Sequence, residues 1–257
     1  MDKTFKALLV KVPAITLWFW IIKILSTTVG ETFADQLDSY LQDNFGVPDT
    51  LSPLYNLYIW GILLLVVLAF QVLTKQYIAW LYWLAVVLIS VEGTLITDNL
   101  HDGLGVPLLN EIIWFGSALL ITFTVWFIKE RTLEMKSINT KPRELFYWLA
   151  ILCTFALGTA TGDYFSESMA IGYGYSLLVF AGLFALVGLL WKFRVLNSVT
   201  AFWIAYIISR PLGASLGDLL SQPVKDTGLG LGTQSTSLLF LALIAICVGY
   251  LSLTKSD

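Results

Sequence analysis

Residues 16–35 read TLWFWIIKILSTTVGETFAD, and within them Trp20, Gly30 and Asp35 define the skeleton W-x9-G-x4-D. The skeleton returns three times. Trp83, Gly93 and Asp98 lie in WLAVVLISVEGTLITD (83–98), and Trp148, Gly158 and Asp163 in WLAILCTFALGTATGD (148–163). Trp203, Gly213 and Asp218 lie in WIAYIISRPLGASLGD (203–218). All four Trp-to-Asp gaps are 15 residues and all four Gly-to-Asp gaps are 5. Three residue types at fixed offsets in four windows make an internal repeat, which sets the architecture before any finer reading.

The chain of 257 residues is 57% hydrophobic and only 13% charged. Soluble domains carry about 25% charged residues, and the apolar runs here approach the roughly 20 residues that cross a bilayer. The reading is an all-α polytopic membrane protein, one transmembrane domain over residues 1–257. Each repeat holds a motif helix followed by a plainer one, giving eight transmembrane helices near 12–36, 54–74, 77–98, 111–129, 145–164, 171–191, 198–220 and 235–254. The repeats run approximately over 12–74, 75–130, 142–192 and 197–255. No polar segment is long enough for a further domain. The basic N-terminus runs into the first apolar stretch without a small-residue cleavage site, so it reads as a retained first span. Cys153 and Cys247 lie in apolar runs and suggest neither a disulfide scaffold nor a zinc site.

Orientation follows the basic residues. Twelve of the 15 Lys and Arg fall before the first helix, between repeats or at the tail, from Lys3, Lys6 and Lys11 to Lys255. The loops within repeats hold Lys225 alone among cations, with acids such as Asp38, Asp43, Asp49, Asp102, Glu111, Glu167 and Asp226. Both termini are therefore expected in the cytoplasm. Two-helix repeats return the chain to the side it left, so all four are parallel, unlike inverted transporter repeats. A pseudo-fourfold arrangement, or a two-fold of two-folds, puts motif helices at the centre and plainer helices toward lipid.

The candidate ion-binding residues are Glu31, Asp35, Asp98, Asp163 and Asp218. Trp to Asp spans roughly 22 Å of helix, so the acids reach the outer boundary of the hydrocarbon and could ring the mouth of a central path. The plainer reading is a hydrated acid at each helix end. The repeats are not equivalent. In the first, Lys23, Thr27, Glu31 and Asp35 recur every four residues and share a helix face. In the others the stripes are Thr94, Thr97, Asp98, His101 and Asp102; Thr159, Asp163 and Glu167; and Arg210, Ala214, Asp218 and Ser221. Lys23, Glu92 and Arg210, with Glu31, are ionisable residues inside spans, which face the bundle interior and find partners. The expected pairs are Lys23 with Glu31 or Glu92, and Arg210 with an aspartate, forming a charge-pair or proton path. Glu92 points off its stripe. The lone histidine, His101, sits with Asp98 and Asp102 as a weaker metal site, against the plainer reading of a polar loop residue.

Gly30, Gly93, Gly158 and Gly213 are small residues at one level, suited to close helix crossings. Pro211 should kink the seventh helix. Trp20, Trp83, Trp148 and Trp203, each beside Phe19, Tyr82, Tyr147 or Phe202, read first as a cytoplasmic-side interfacial belt.

Nucleotide, dinucleotide, zincin and hydrolase motifs are lacking. No enzyme, cofactor or nucleic-acid partner is expected; the partners are the bilayer and a cation or small solute, and a homo-oligomer is compatible. The fourfold pattern, with two spans per repeat and the opening KVPAITLWFWIIKILSTTVGETFAD, resembles a bacterial family of four tandem two-helix membrane repeats of unknown function, often labelled uncharacterised membrane-anchored proteins. The resemblance covers nearly the whole chain and implies a bacterial inner-membrane protein with eight spans, but no activity.

Oxygen ligands with little Cys or His suit magnesium, calcium or manganese. The residues therefore favour a proton-coupled transporter of a divalent cation such as manganese. The rivals are a cation channel, a carrier of small organic anions anchored on Arg210 or Lys23, and a scaffold that moves nothing.

Overall fold

The computed structural model describes residues 10–48 and 50–254. Lys3, Lys6, Asp49 and Lys255, part of the orientation argument, lie outside the described residues. Among the described residues there is no β-strand, and eight long helices follow one another. These are α1 (Leu17–Phe45), α2 (Ser52–Leu73), α3 (Ala79–Asp98), α4 (Leu108–Glu130), α5 (Lys141–Asp163), α6 (Tyr173–Lys192), α7 (Ser198–Ser221) and α8 (Thr233–Thr254). Seven are long and apolar enough to cross a membrane. The eighth, α1, carries Lys23, Glu31, Asp35, Asp38 and Asp43 within its 29 residues.

Helix ends follow local chemistry. Thr16 and Asn197 cap α1 and α7 by accepting from the Phe19 and Thr200 amides. Pro53 and Pro142 sit in first turns, where a missing N–H costs nothing. Gly46 ends α1 in the left-handed conformation, φ 64°, with its N–H returned to Gln42 and Leu41 carbonyls. That helix runs nine residues past its expected end at 36, because nothing between Asp35 and Gly46 breaks it. α3 and α5 do not stop at their aspartates but continue as single π-helical turns, Asn99–Gly103 and Tyr164–Ser168.

The four motif helices form a closed ring in which α1 touches α3, α3 touches α5, α5 touches α7 and α7 touches α1. The plainer helices pack outside. Each leans mainly on the motif helix of the next repeat: α2 on α3, α4 on α5, α6 on α7, and α8 back on α1. Outer helices are mostly exposed over their apolar windows, whereas α3, α5 and α7 are at least two-thirds buried.

The repeat glycines make the ring. A Cβ on Gly30 would enter Ser90, on Gly93 Phe155, on Gly158 Arg210 and Pro211, and on Gly213 Thr27. The nearest obstructing residue, Ser90, Phe155, Arg210 or Thr27, lies three before the glycine of the following motif helix each time. One crossing is thus used four times, and helix backbones approach where side chains would forbid it.

The tryptophans are not an interfacial belt. Trp83, Trp148 and Trp203 are only 1, 4 and 5% exposed, and Trp20 is half-buried. They pack with Phe19, Tyr82, Tyr147 and Phe202 in an aromatic core at one end of the ring, where the Tyr82 and Tyr147 hydroxyls share a hydrogen bond. Their inward turn follows from the crossing, because residues next to an axis-facing ladder are drawn between helices. Lys11, counted as a loop cation, pairs here with buried Glu144 at 2.6 Å.

Gly30→Ala and Gly213→Ala should each cost about 1–3 kcal/mol by overpacking. Gly182→Ala, where a Cβ meets nothing within 4 Å, should instead gain about 0.5–1 kcal/mol by helix propensity. Thermal unfolding of purified protein in detergent separates them; equal responses would contradict the close crossing.

Candidate functional site

Counting from each repeat glycine in steps of four residues gives one face of each motif helix, and these faces meet on the ring axis. Eleven residues before are Phe19, Tyr82, Tyr147 and Phe202; seven before are Lys23, Val86, Ile151 and Tyr206. Three before are Thr27, Ser90, Phe155 and Arg210; one after are Glu31, Thr94, Thr159 and Ala214; five after are the four aspartates. The first four layers are buried throughout, so the axis is filled with side chains from the aromatic end up to Glu31.

Arg210 takes the position that Thr27, Ser90 and Phe155 hold in the other repeats. Its guanidinium reaches across the axis to all three other motif helices. Nη1 donates to the Thr27 carbonyl at 2.7 Å, and Nη2 donates to Glu31 Oε2 at 2.8 Å and Thr159 Oγ1 at 2.7 Å. Nη2 also donates to the Thr94 hydroxyl. Arg210 and Glu31 form a buried ion pair, not the arginine–aspartate pair expected. A guanidinium with several fixed donors suits such a fork better than an ammonium. Pro211 lies inside α7 and offers no N–H to the carbonyl four residues back.

Lys23 pairs with neither Glu31 nor Glu92. Its Nζ lies 3.7 Å from the centre of the Phe155 ring and 4.2 Å from that of Tyr206, with no hydrogen-bond acceptor. Aromatic faces attract a cation, and its helix face directs it to the layer where those rings meet. Glu92 lies off the axis. It turns out of the ring toward α2, with Oε1 against Gly61, because it lies one residue before Gly93 and so off the axis face.

Above the arginine the axis opens into a cavity of about 310 Å³. Glu31 and all four repeat aspartates, Asp35, Asp98, Asp163 and Asp218, line it. Asp38, Asp102, Glu167, His101 and Gln222 form its outer wall. Carboxylate oxygens of Glu31, Asp163 and Asp218 lie within 4.8 Å of one another. Asp35 accepts from Gln222 Nε2 at 2.9 Å, Asp38 from Asn56 Nδ2 at 2.5 Å and Glu167 from the Tyr173 hydroxyl at 3.0 Å. Asp98, Asp163 and Asp218 have no hydrogen-bond donor among the described residues. Such a site holds hard oxygen ligands for a cation, or carboxylates that share protons. His101 joins the wall, but its Nδ1 is bonded to the Val106 carbonyl at 2.8 Å, which leaves Nε2 as its free ring nitrogen.

Sequence reasoning found the acids and missed the roles of Thr27, Thr94 and Thr159. The signal was present: each threonine lies on the same four-residue ladder as the charges. It also missed Gln222, which lies outside the Trp–Gly–Asp window.

Glu31→Gln leaves a buried guanidinium without its carboxylate and should cost about 3–5 kcal/mol. Asp98→Asn removes one of several like charges around the cavity and should leave stability unchanged or raised. Thermal unfolding in detergent measures both, and a comparable loss for Asp98→Asn would mark the aspartates as structural.

No curated protein and no solved structure matches the chain. A family profile described as Repeat of Unknown Function (DUF347) matches residues 18–77, 81–132, 146–195 and 201–257. Its four segments follow the four Trp–Gly–Asp windows and their trailing helices, so the chain belongs to the DUF347 repeat family.

Proposed function

We infer that this is a secondary transporter of a divalent cation such as manganese, coupled to protons, in the bacterial inner membrane. On this reading α1 is the eighth span. Its 29 residues reach about 44 Å at 1.5 Å per residue, longer than the hydrocarbon, and its charges face the ring. The aromatic end lies toward the cytoplasm with both termini, and the acid-lined cavity opens outward, in a pseudo-fourfold bundle.

The observation that carries the reading is the convergence of Glu31 and the four repeat aspartates on one cavity. Convergence of residues from four helices is what a binding site requires and what helix-end hydration does not. The carboxylates repel one another, and a divalent cation or protons relieve that repulsion; exchange between the two is coupled transport. The channel reading is disfavoured by the filled axis, where Arg210 and Lys23 stand on the line that ions would follow. The organic-anion reading is disfavoured because both terminal nitrogens of Arg210 are engaged within the protein and the residue is fully buried.

Manganese chloride at about 100 times its dissociation constant should stabilise the detergent-purified protein by about 2.7 kcal/mol. Asp163→Asn with Asp218→Asn should abolish that shift, and acidification should weaken it, since ligand carboxylates bind metal only when deprotonated. Metal-driven proton movement in proteoliposomes completes the test. A stable protein that binds no divalent cation, or binds one equally in the double variant, would overturn the reading.

A further inference from the structure

The cavity floor already holds a cation, and that cation belongs to the protein. Glu31 faces two ways. Its Oε2 accepts from Arg210 at 2.8 Å, while the same side chain completes the oxygen cluster with Asp163 and Asp218. The acceptors around the guanidinium are a carboxylate, two hydroxyls and a backbone carbonyl, from Glu31, Thr94, Thr159 and Thr27. All are oxygens, the ligand type that hard cations take.

We propose that Arg210 is a tethered competitor for Glu31: cation binding in the cavity and the Arg210–Glu31 ion pair oppose each other, and release of Arg210 is the step that unlocks the closed axis. This rests on the cation-transport reading above and adds how that site is regulated.

Three observations support it. First, a dication on Glu31 would put two positive centres on one carboxylate, and they repel. Second, among the described residues Arg210 is the one bond donor that joins α7 to α1, α3 and α5 together, so its release loosens the ring where the axis is closed. Third, retreat toward the aromatic end is blocked. Lys23 Nζ and Arg210 Cζ both sit over the Phe155 ring, 3.7 and 5.7 Å from its centre, so movement that way runs into the buried lysine side chain. The other three repeats carry Thr27, Ser90 and Phe155 at this position, so only one repeat supplies the competitor and only one event releases it.

The experiment is manganese chloride titration of the full chain in detergent, followed calorimetrically, for the wild type and Arg210→Gln. If the pair closes the site in most molecules, the variant should bind about tenfold more tightly, because apparent affinity falls by the fraction of competent protein. The gain should vanish in Arg210→Gln with Glu31→Gln, where the contested carboxylate is gone. Metal-driven proton flux in proteoliposomes should fall in Arg210→Gln despite the tighter binding. Equal or weaker binding by folded Arg210→Gln overturns the competition while leaving the cation reading intact. Absence of binding by both proteins removes the cation reading and the competition with it.

A second arm needs no variant. Phenylglyoxal labelling of the wild type, read by peptide mass spectrometry, should spare buried Arg210 without metal and reach it with manganese bound, with exposed Arg131 and Arg194 as references. Protection that persists at saturating metal overturns the proposal.

Discussion

Four close backbone crossings carry this structure. At each, a motif-helix glycine admits a side chain from the next helix, and the sequence offset is the same four times. Because the crossings are equivalent, the residues one and five after each glycine arrive at common levels on the axis. The carboxylate cavity is a geometric result of the glycines before it is a chemical feature. A single enlarged glycine disturbs one crossing and thereby shifts a quarter of every layer above and below it.

Within this regular frame, chemistry is placed by exceptions. The layer one after the glycine reads Glu31, Thr94, Thr159 and Ala214; the layer below it reads Thr27, Ser90, Phe155 and Arg210. One acid and one base sit in different repeats, α1 and α7, which are ring neighbours. Burying such a pair stabilises little by itself, since desolvation offsets the attraction. Its retention is easier to understand as a device that holds the ring in one arrangement and can be undone. Lys23 has no carboxylate at all and packs against aromatic faces, so of the two basic side chains on the filled axis only Arg210 has an acidic partner.

Much of this was legible in the sequence. The Trp–Gly–Asp spacing told of four repeats, the runs told of eight helices, and the four-residue ladder placed Lys23, Thr27, Glu31 and Asp35 on one face. Pairing was not legible. Arg210 could meet any of several acids, and its choice of Glu31 follows from which helices are ring neighbours, a tertiary fact. The tryptophans misled because an aromatic pair near a basic loop has the same local signature whether it meets headgroups or a neighbouring helix. Glu92 showed its offset in the sequence, one residue from the glycine, but only packing revealed that α2 receives it.

The outer helices follow an offset rule: each leans on the motif helix of the next repeat, and the last, α8, leans on the first, α1. The helix richest in charge is therefore made before the other seven and is the last of them to gain its cover. Until α7 and α8 emerge, Glu31 has no arginine and one flank of α1 has no neighbour. Assembly of these eight helices thus ends with a clasp of α7 and α8 onto α1, and the earlier repeats must wait as an open horseshoe whose gap exposes its most polar edge.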